Sequence, residues 1–189
     1  MMRAASDRTG RISRRRALGA GAALALVLAG ATVAAVRTRG YAVPPGRRLV
    51  ALTPWQFVVV RSAARRIAAP DREGDPSIPS ADDTDVPGSI DLWVSRMHGR
   101  VRRDFGRFLA YLEHVAPVGA GFASRFTRLS PADQDAVLAA LEQSPHDRLR
   151  AGFEGLKSLV FIGYYRDVRT WKLARYDGPL LARPLGGWR

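Results

Sequence analysis

Apolar positions fall into three patterns along this chain. Residues 17–36 form one uncharged apolar stretch, residues 52 to about 163 show apolar side chains recurring every three or four positions, and from Tyr164 onward that recurrence fades. A spacing of three and four is the signature of helices that bury one face. The first helix is announced by Thr53 as cap, Pro54 at the first helical position and Gln56 three residues after the cap, with Leu52 and Phe57 spaced as a hydrophobic staple. Phe57, Val60, Ala64 and Ile67 then line one face, and the helix is predicted to end near Pro70.

Residues 71–88 hold three prolines, two glycines and six acids, and read as a loop. Helical spacing returns with Ile90, Val94, Met97, Val101, Phe105, Phe108, Leu112 and Val115, where Gly99 and Gly106 are the positions expected to bend or divide the run. A turn at residues 117–121 precedes Phe122 and Phe126. Ser130-Pro131-Ala132-Asp133 repeats the cap-then-proline opening, with Val137, Ala140 and Leu141 facing inward. After Ser144-Pro145, the positions of Leu149, Phe153, Leu156 and Val160 predict a last long helix ending about Gly163. No segment alternates apolar and polar residues as a half-buried strand does. The expected fold is all-α, a small bundle of four to five helices with an irregular aromatic C-terminal tail.

The charge changes the picture ahead of that bundle. The chain of 189 residues carries a formal charge of +13, but residues 1–52 hold ten arginines and one acid, whereas residues 53–189 hold twenty Lys/Arg and sixteen Asp/Glu. The excess is therefore not a nucleic-acid footprint spread over a domain. A basic segment followed by an uncharged apolar one is the layout of an export signal. Ser13-Arg14-Arg15-Arg16-Ala17-Leu18 matches a twin-arginine pattern except at Ala17, where a large apolar residue is usual, and Arg14 and Arg15 are the pair a twin-arginine translocase would read. Residues 17–36 include nine Ala and three Gly, a mild hydrophobicity typical of such signals. Ala29 and Ala31 offer the small-x-small site of a signal peptidase. The competing reading keeps residues 1–36 as an N-terminal membrane anchor, since about 20 apolar residues can cross a bilayer. Both place the domain in the periplasm or on the outer face of the cytoplasmic membrane. Residues 37–51, with Pro44, Pro45, Gly46 and four arginines, read as a linker, leaving residues 52–189 as the helical domain.

Little in the composition points to chemistry within this chain. With no cysteine there is no thiolate-held iron–sulfur cluster, no Cys-x-x-Cys-His haem attachment, no disulfide and no cysteine nucleophile. His98, His114 and His146 are isolated, without the helical His pair that holds zinc. Asp82, Asp83 and Asp85 lie close enough to suggest a cation site, but they lack the glycine and distal glutamate of an EF-hand loop, and a solvated acidic loop is the alternative. No glycine-rich phosphate loop, dinucleotide fingerprint or nucleophile elbow is present. The sequence therefore gives no catalytic, cofactor-binding or metal-binding residue, and no nucleic-acid partner. Its one concentration of recognition chemistry is the tail, where Tyr164, Tyr165, Trp171 and Tyr176 lie among Arg and Lys. Such residues anchor protein interfaces; alternatively they fold back and complete the domain's own core.

Several landmarks run in one order along the chain: the twin-arginine leader, Leu52-Thr53-Pro54-Trp55-Gln56-Phe57, Arg66-Ile67-Ala68-Ala69-Pro70-Asp71, Pro87-Gly88, Leu129-Ser130 before a helix, Gly163-Tyr164-Tyr165 and Tyr176-Asp177-Gly178-Pro179. Together they resemble the gluconate 2-dehydrogenase subunit 3 family, the small subunit of bacterial membrane-associated flavin dehydrogenases. The resemblance implies a non-catalytic accessory subunit that stabilises a partner of the glucose-methanol-choline type and supplies its twin-arginine export signal. It places FAD and haem in partner subunits, the haem in a cytochrome c, and none in this chain. A route that carries folded proteins suits a flavoprotein that must bind its cofactor before export. The resemblance does not imply a substrate. The alternative from the residues alone is a free-standing membrane-tethered or secreted helical envelope protein, a binding module or an enzyme of another kind.

Overall fold

The computed structural model describes residues 40–68 and 77–178. Among them are six α-helices and no strand. The helices are α1 (Pro54–Ile67), α2 (Val86–Arg96), α3 (Gly99–His114), the single turn α4 (Ala116–Gly119), α5 (Pro131–Glu142) and α6 (Asp147–Tyr165). Short 3-10 turns cover Phe126–Arg128 and Val168–Thr170. Five long helices and an irregular tail agree with the expected small all-α bundle. Among the described residues no helix is long and apolar enough to cross a membrane.

Helix α1 begins where its capping residues predict. The Thr53 N–H donates to Gln56 Oε1 at 2.9 Å, and Pro54 occupies the first turn, where its missing N–H has no intrahelical role. The buried face is wider than Phe57, Val60 and Ala64, because Val59 and Ala63 are also fully buried. The cause is position: α1 packs against α2, α3, α5 and α6, so it is enclosed on several sides. Helix α6 in turn packs closely on α2 and α5, with Phe153, Leu156, Val160 and Tyr164 inward. It starts at Asp147 and runs to Tyr165, beyond the expected end at Gly163.

The periodic run from Ile90 to Val115 divides between Arg96 and Gly99. Met97 is extended, and His98 caps α3 by accepting the Arg100 N–H on Nδ1 at 3.3 Å. Gly106 stays inside α3; a Cβ there would lie 3.0 Å from Gln56 Nε2, so its role is close approach between α3 and α1 rather than a break. At Gly88 a Cβ would meet Arg47 Nη1 and Asp85 Oδ2 at 2.3 Å. The bare backbone there leaves room for the Arg47–Asp85 ion pair, whose guanidinium also stacks 5.3 Å from the Phe57 ring centroid.

Two buried carboxylates join the helices to the segments around them. Asp91, on α2, is only 4% exposed and accepts three successive backbone N–H groups: Val50 at 2.7 Å, Ala51 at 2.9 Å and Leu52 at 2.7 Å. Val43, Leu49 and Ala51 pack against the core beside this clamp. Glu113, on α3, is fully buried and accepts the Thr127 N–H at 3.1 Å and the Thr127 hydroxyl at 2.7 Å, with Arg125 Nε 3.6 Å away. Gln134 Nε2 donates to the Phe126 carbonyl at 3.0 Å, so the fully buried Phe126 is fixed from α3 and α5 together.

Replacing Asp91 by Ala leaves three N–H groups without their acceptor and is expected to lower stability by about 3 kcal/mol, read from thermal or urea unfolding. Asp91→Asn keeps one acceptor oxygen and is expected to lose less. Equal stability of the Ala variant and the unsubstituted chain would refute the role given to this carboxylate.

Candidate partner interface

The tail after α6 is ordered by polar contacts that hold apolar side chains outward. Thr170 is fully buried, and its hydroxyl lies 3.1 Å from the Tyr164 carbonyl and 2.7 Å from the Asp167 carbonyl. Arg169 pairs with Asp167 at 2.6 Å and donates to the Asp83 carbonyl at 3.2 Å, which ties the tail to the loop before α2. Trp171 Nε1 donates to the Tyr165 carbonyl at 2.8 Å, and the Trp171 ring meets Tyr176 edge-on at 5.0 Å. Gly178, at φ 101°, brings the chain past that ring, where a Cβ would lie 3.3 Å from Trp171.

These contacts separate the four tail aromatics. Tyr164 faces inward: it is 2% exposed and its hydroxyl donates to the Pro79 carbonyl at 2.8 Å. Burial pushes its phenol above the ordinary value, which keeps it a donor. Tyr164 thus completes the core, and its side chain offers no outward contact. Tyr165 and Tyr176 are exposed, while Trp171 lies half-buried between them. Tyr165 also touches the rings of Phe161 at 6.1 Å and Tyr164 at 5.5 Å, so the rings form a connected series from Phe161 to Tyr176 through the Trp171 hydrogen bond. Ile162, Val168 and Leu173 add exposed aliphatic side chains along the same stretch of chain, Val168 at 62%. The sequence pattern held a signal for Ile162, which falls off the register of Leu156, Val160 and Tyr164. No such period exists for Val168 and Leu173. Exposed aromatic and aliphatic side chains among Arg166, Lys172 and Arg175 are interface chemistry.

Among the described residues no three His, Cys, Asp or Glu side chains are placed to hold a metal ion. Asp82, Asp83 and Asp85 turn to separate partners: Asp82 to Arg61 and Arg65, Asp83 to the Ser80 N–H and hydroxyl, and Asp85 to Arg47. Among the described residues of this loop, Asp82 is thus a clamp onto α1, Asp85 pairs with Arg47, and Asp83 closes a turn on Ser80. His98 is a helix cap, and His114 lies 6.5 Å from the Trp55 ring. Asp91 and Glu113, the two buried acids, are committed to backbone N–H groups. Arg14, Arg15, Ala29 and Ala31 lie outside the described residues, as does Pro179.

Asp82 carries a pH dependence. Burial raises its pKa, but hydrogen bonds from Arg61 and Arg65 outweigh this, and the carboxyl titrates below its ordinary value. An acid depressed by folding contributes stability that is complete above its unfolded value, about 4, and is lost as pH falls through the lower folded value. Asp82→Asn is expected to lower Tm by about 2–4 °C at neutral pH. Its Tm should converge with that of the unsubstituted chain as the solution is acidified. A Tm difference that stays constant from neutral pH to about pH 3 would contradict this assignment.

No curated protein and no solved structure matches the chain significantly. A family does. Residues 54–178, which run from the first residue of α1 through the last described residue of the tail, match gluconate 2-dehydrogenase subunit 3. That span is 125 of the 189 residues and includes both buried carboxylates and the exposed aromatic stretch. The chain belongs to the gluconate 2-dehydrogenase subunit 3 family.

Proposed function

We propose that this chain is the non-catalytic accessory subunit of an exported FAD-dependent dehydrogenase complex, which stabilises the flavoprotein subunit and supplies its twin-arginine export signal. The observation that carries the reading is the family match over residues 54–178, with an ordered tail that holds Tyr165, Val168, Leu173 and Tyr176 in solvent. Exposed apolar groups that gather along one ordered segment mark a surface suited to a partner. The partner is a flavoprotein of the glucose-methanol-choline type, with a cytochrome c as electron acceptor, and both FAD and haem belong to those subunits.

Arg14 and Arg15 are the residues the translocase reads, and Ala29 and Ala31 mark the peptidase site. The folded complex is carried to the periplasm or to the outer face of the cytoplasmic membrane. There it either loses the leader or stays anchored by it. Buried Asp91 and Glu113 support a scaffold rather than an enzyme, because their oxygens are engaged by the chain itself.

Two substitutions test the two halves of this role. Lysine at both Arg14 and Arg15 is expected to keep this chain and the flavoprotein in the cytoplasm without changing the Tm of the domain. Tyr165→Ala with Tyr176→Ala is expected to weaken flavoprotein binding by about tenfold or more while export of the chain continues. Normal export of the lysine variant contradicts the twin-arginine assignment; unchanged binding by the tyrosine variant contradicts the tail interface.

A further inference from the structure

A recess of about 430 Å³ lies where α3 crosses the start of α1, beside the segment that Asp91 clamps. Ala51 and Leu52 form one edge, Val94 of α2 and Phe105 of α3 add apolar wall, and Gln56 of α1 meets Gly106 of α3 within it. The Gln56 amide is oriented by the helix cap. Its Oε1 accepts the Thr53 N–H, which turns Nε2 toward α3, where a Cβ at Gly106 would lie 3.0 Å from it. Among the described residues Nε2 donates to no other group, so the recess presents an amide donor that the chain itself does not use.

Every charged side chain that lines this recess is an arginine: Arg102, Arg103 and Arg107. Arg107 pairs with Asp104, which does not line it, whereas Arg102 and Arg103 make no ion pair among the described residues. Elsewhere arginines are matched to acids: Arg47 with Asp85, Arg61 and Arg65 with Asp82, and Arg66 with Asp135. The unmatched pair also stands at an unfavourable place. Helix α3 begins at Gly99 with no acid in its first turn, and α1 opens beside the recess with none either. The start of a helix is the positive end of its dipole, which repels cations and attracts anions. Two unpaired guanidinium groups, an unused amide donor and two helix starts without an acid are all complementary to one oxyanion.

We propose that this recess holds the phosphate of an anionic phospholipid head group. Its surroundings favour a lipid over an acidic protein segment. Val50 and Val101, chain neighbours of the lining residues Ala51 and Arg102, are 66% and 52% exposed. Exposed aliphatic side chains beside cations suit a membrane interface, where the former enter the acyl boundary and the latter meet the head groups. Residues 37–51, with four arginines, lead in sequence from the uncharged apolar stretch 17–36 to Ala51 at the edge of the recess. The proposal rests on the reading that the domain stands at the outer face of the cytoplasmic membrane, and it does not require the flavoprotein.

The test reads the Tm of the domain in the full chain, which the leader's own affinity for lipid does not enter. Dihexanoyl phosphatidylglycerol, below its micelle concentration and at about tenfold its dissociation constant, is expected to raise Tm by about 3 °C or more. Dihexanoyl phosphatidylcholine and inorganic phosphate are expected to raise it by less than half as much. Gln56→Glu keeps the capping box, because a carboxylate accepts the Thr53 N–H as the amide does, but puts an anion in the recess. Arg102→Gln with Arg103→Gln removes the unmatched cations. Both variants are expected to fold with a Tm at or above that of the unsubstituted chain and to lose the response to phosphatidylglycerol. An undiminished response in both variants, or none in the unsubstituted chain, overturns the proposal. An equal rise with phosphate alone reduces the site to an adventitious ion only and overturns it too, as does an equal rise with phosphatidylcholine. Loss of the flavoprotein by the arginine variant, with no lipid response in the unsubstituted chain, assigns the recess to a protein carboxylate instead. Absence of any flavoprotein partner removes the accessory-subunit reading and leaves the lipid result standing, since the Tm readout needs this chain alone.

Discussion

The bundle depends on carboxylates that are buried and fully engaged. An ionised side chain removed from water is destabilising unless hydrogen bonds replace its hydration. Asp91 meets that condition with three consecutive backbone N–H groups from residues 50–52, just before the Thr53 cap of α1. The clamp therefore fixes where α1 starts relative to α2. Since α1 lies against α2, α3, α5 and α6, its register sets the others. Glu113 plays the matching part on α3, holding Thr127 and, through the neighbouring Phe126, the approach to α5. Asp91 and Glu113 are thus structural acids, which bind segments of the chain to the helices that carry them.

The surface has a consistent character. Arg47, Arg61, Arg65 and Arg66 are matched to acids and tie loops and helices to one another. Exposed rings and aliphatic chains gather along the segment after α6. This segment has the chemistry of a contact surface. Membership of the gluconate 2-dehydrogenase subunit 3 family makes a dehydrogenase complex the setting for it.

Local signals in the sequence were read where local physics decided the outcome. Thr53, Pro54 and Gln56 place the start of α1, and Ser130 with Pro131 places that of α5, because a cap and a proline act within one turn. Gly99 marks the division between α2 and α3, which falls at Met97 and His98 directly before it, whereas Gly106 lies inside α3 and serves packing against Gln56. Asp91 could not be read at all: its partners are about 40 residues away, and an acid amid a helical pattern looks like a solvent-facing one. The tail shows the same limit. Composition marked Tyr164, Tyr165, Trp171 and Tyr176 as one cluster, but only the helical register of α6 turns Tyr164 inward and leaves Tyr165 outside.

The central claim is that this chain works as part of a flavoprotein complex, and the most direct measurement is the subunit composition and flavin content of the native protein purified from the cell envelope. The account predicts a stoichiometric flavoprotein and a flavin absorbance spectrum that co-elute with the chain. A homogeneous, folded chain that elutes alone and without flavin would contradict it.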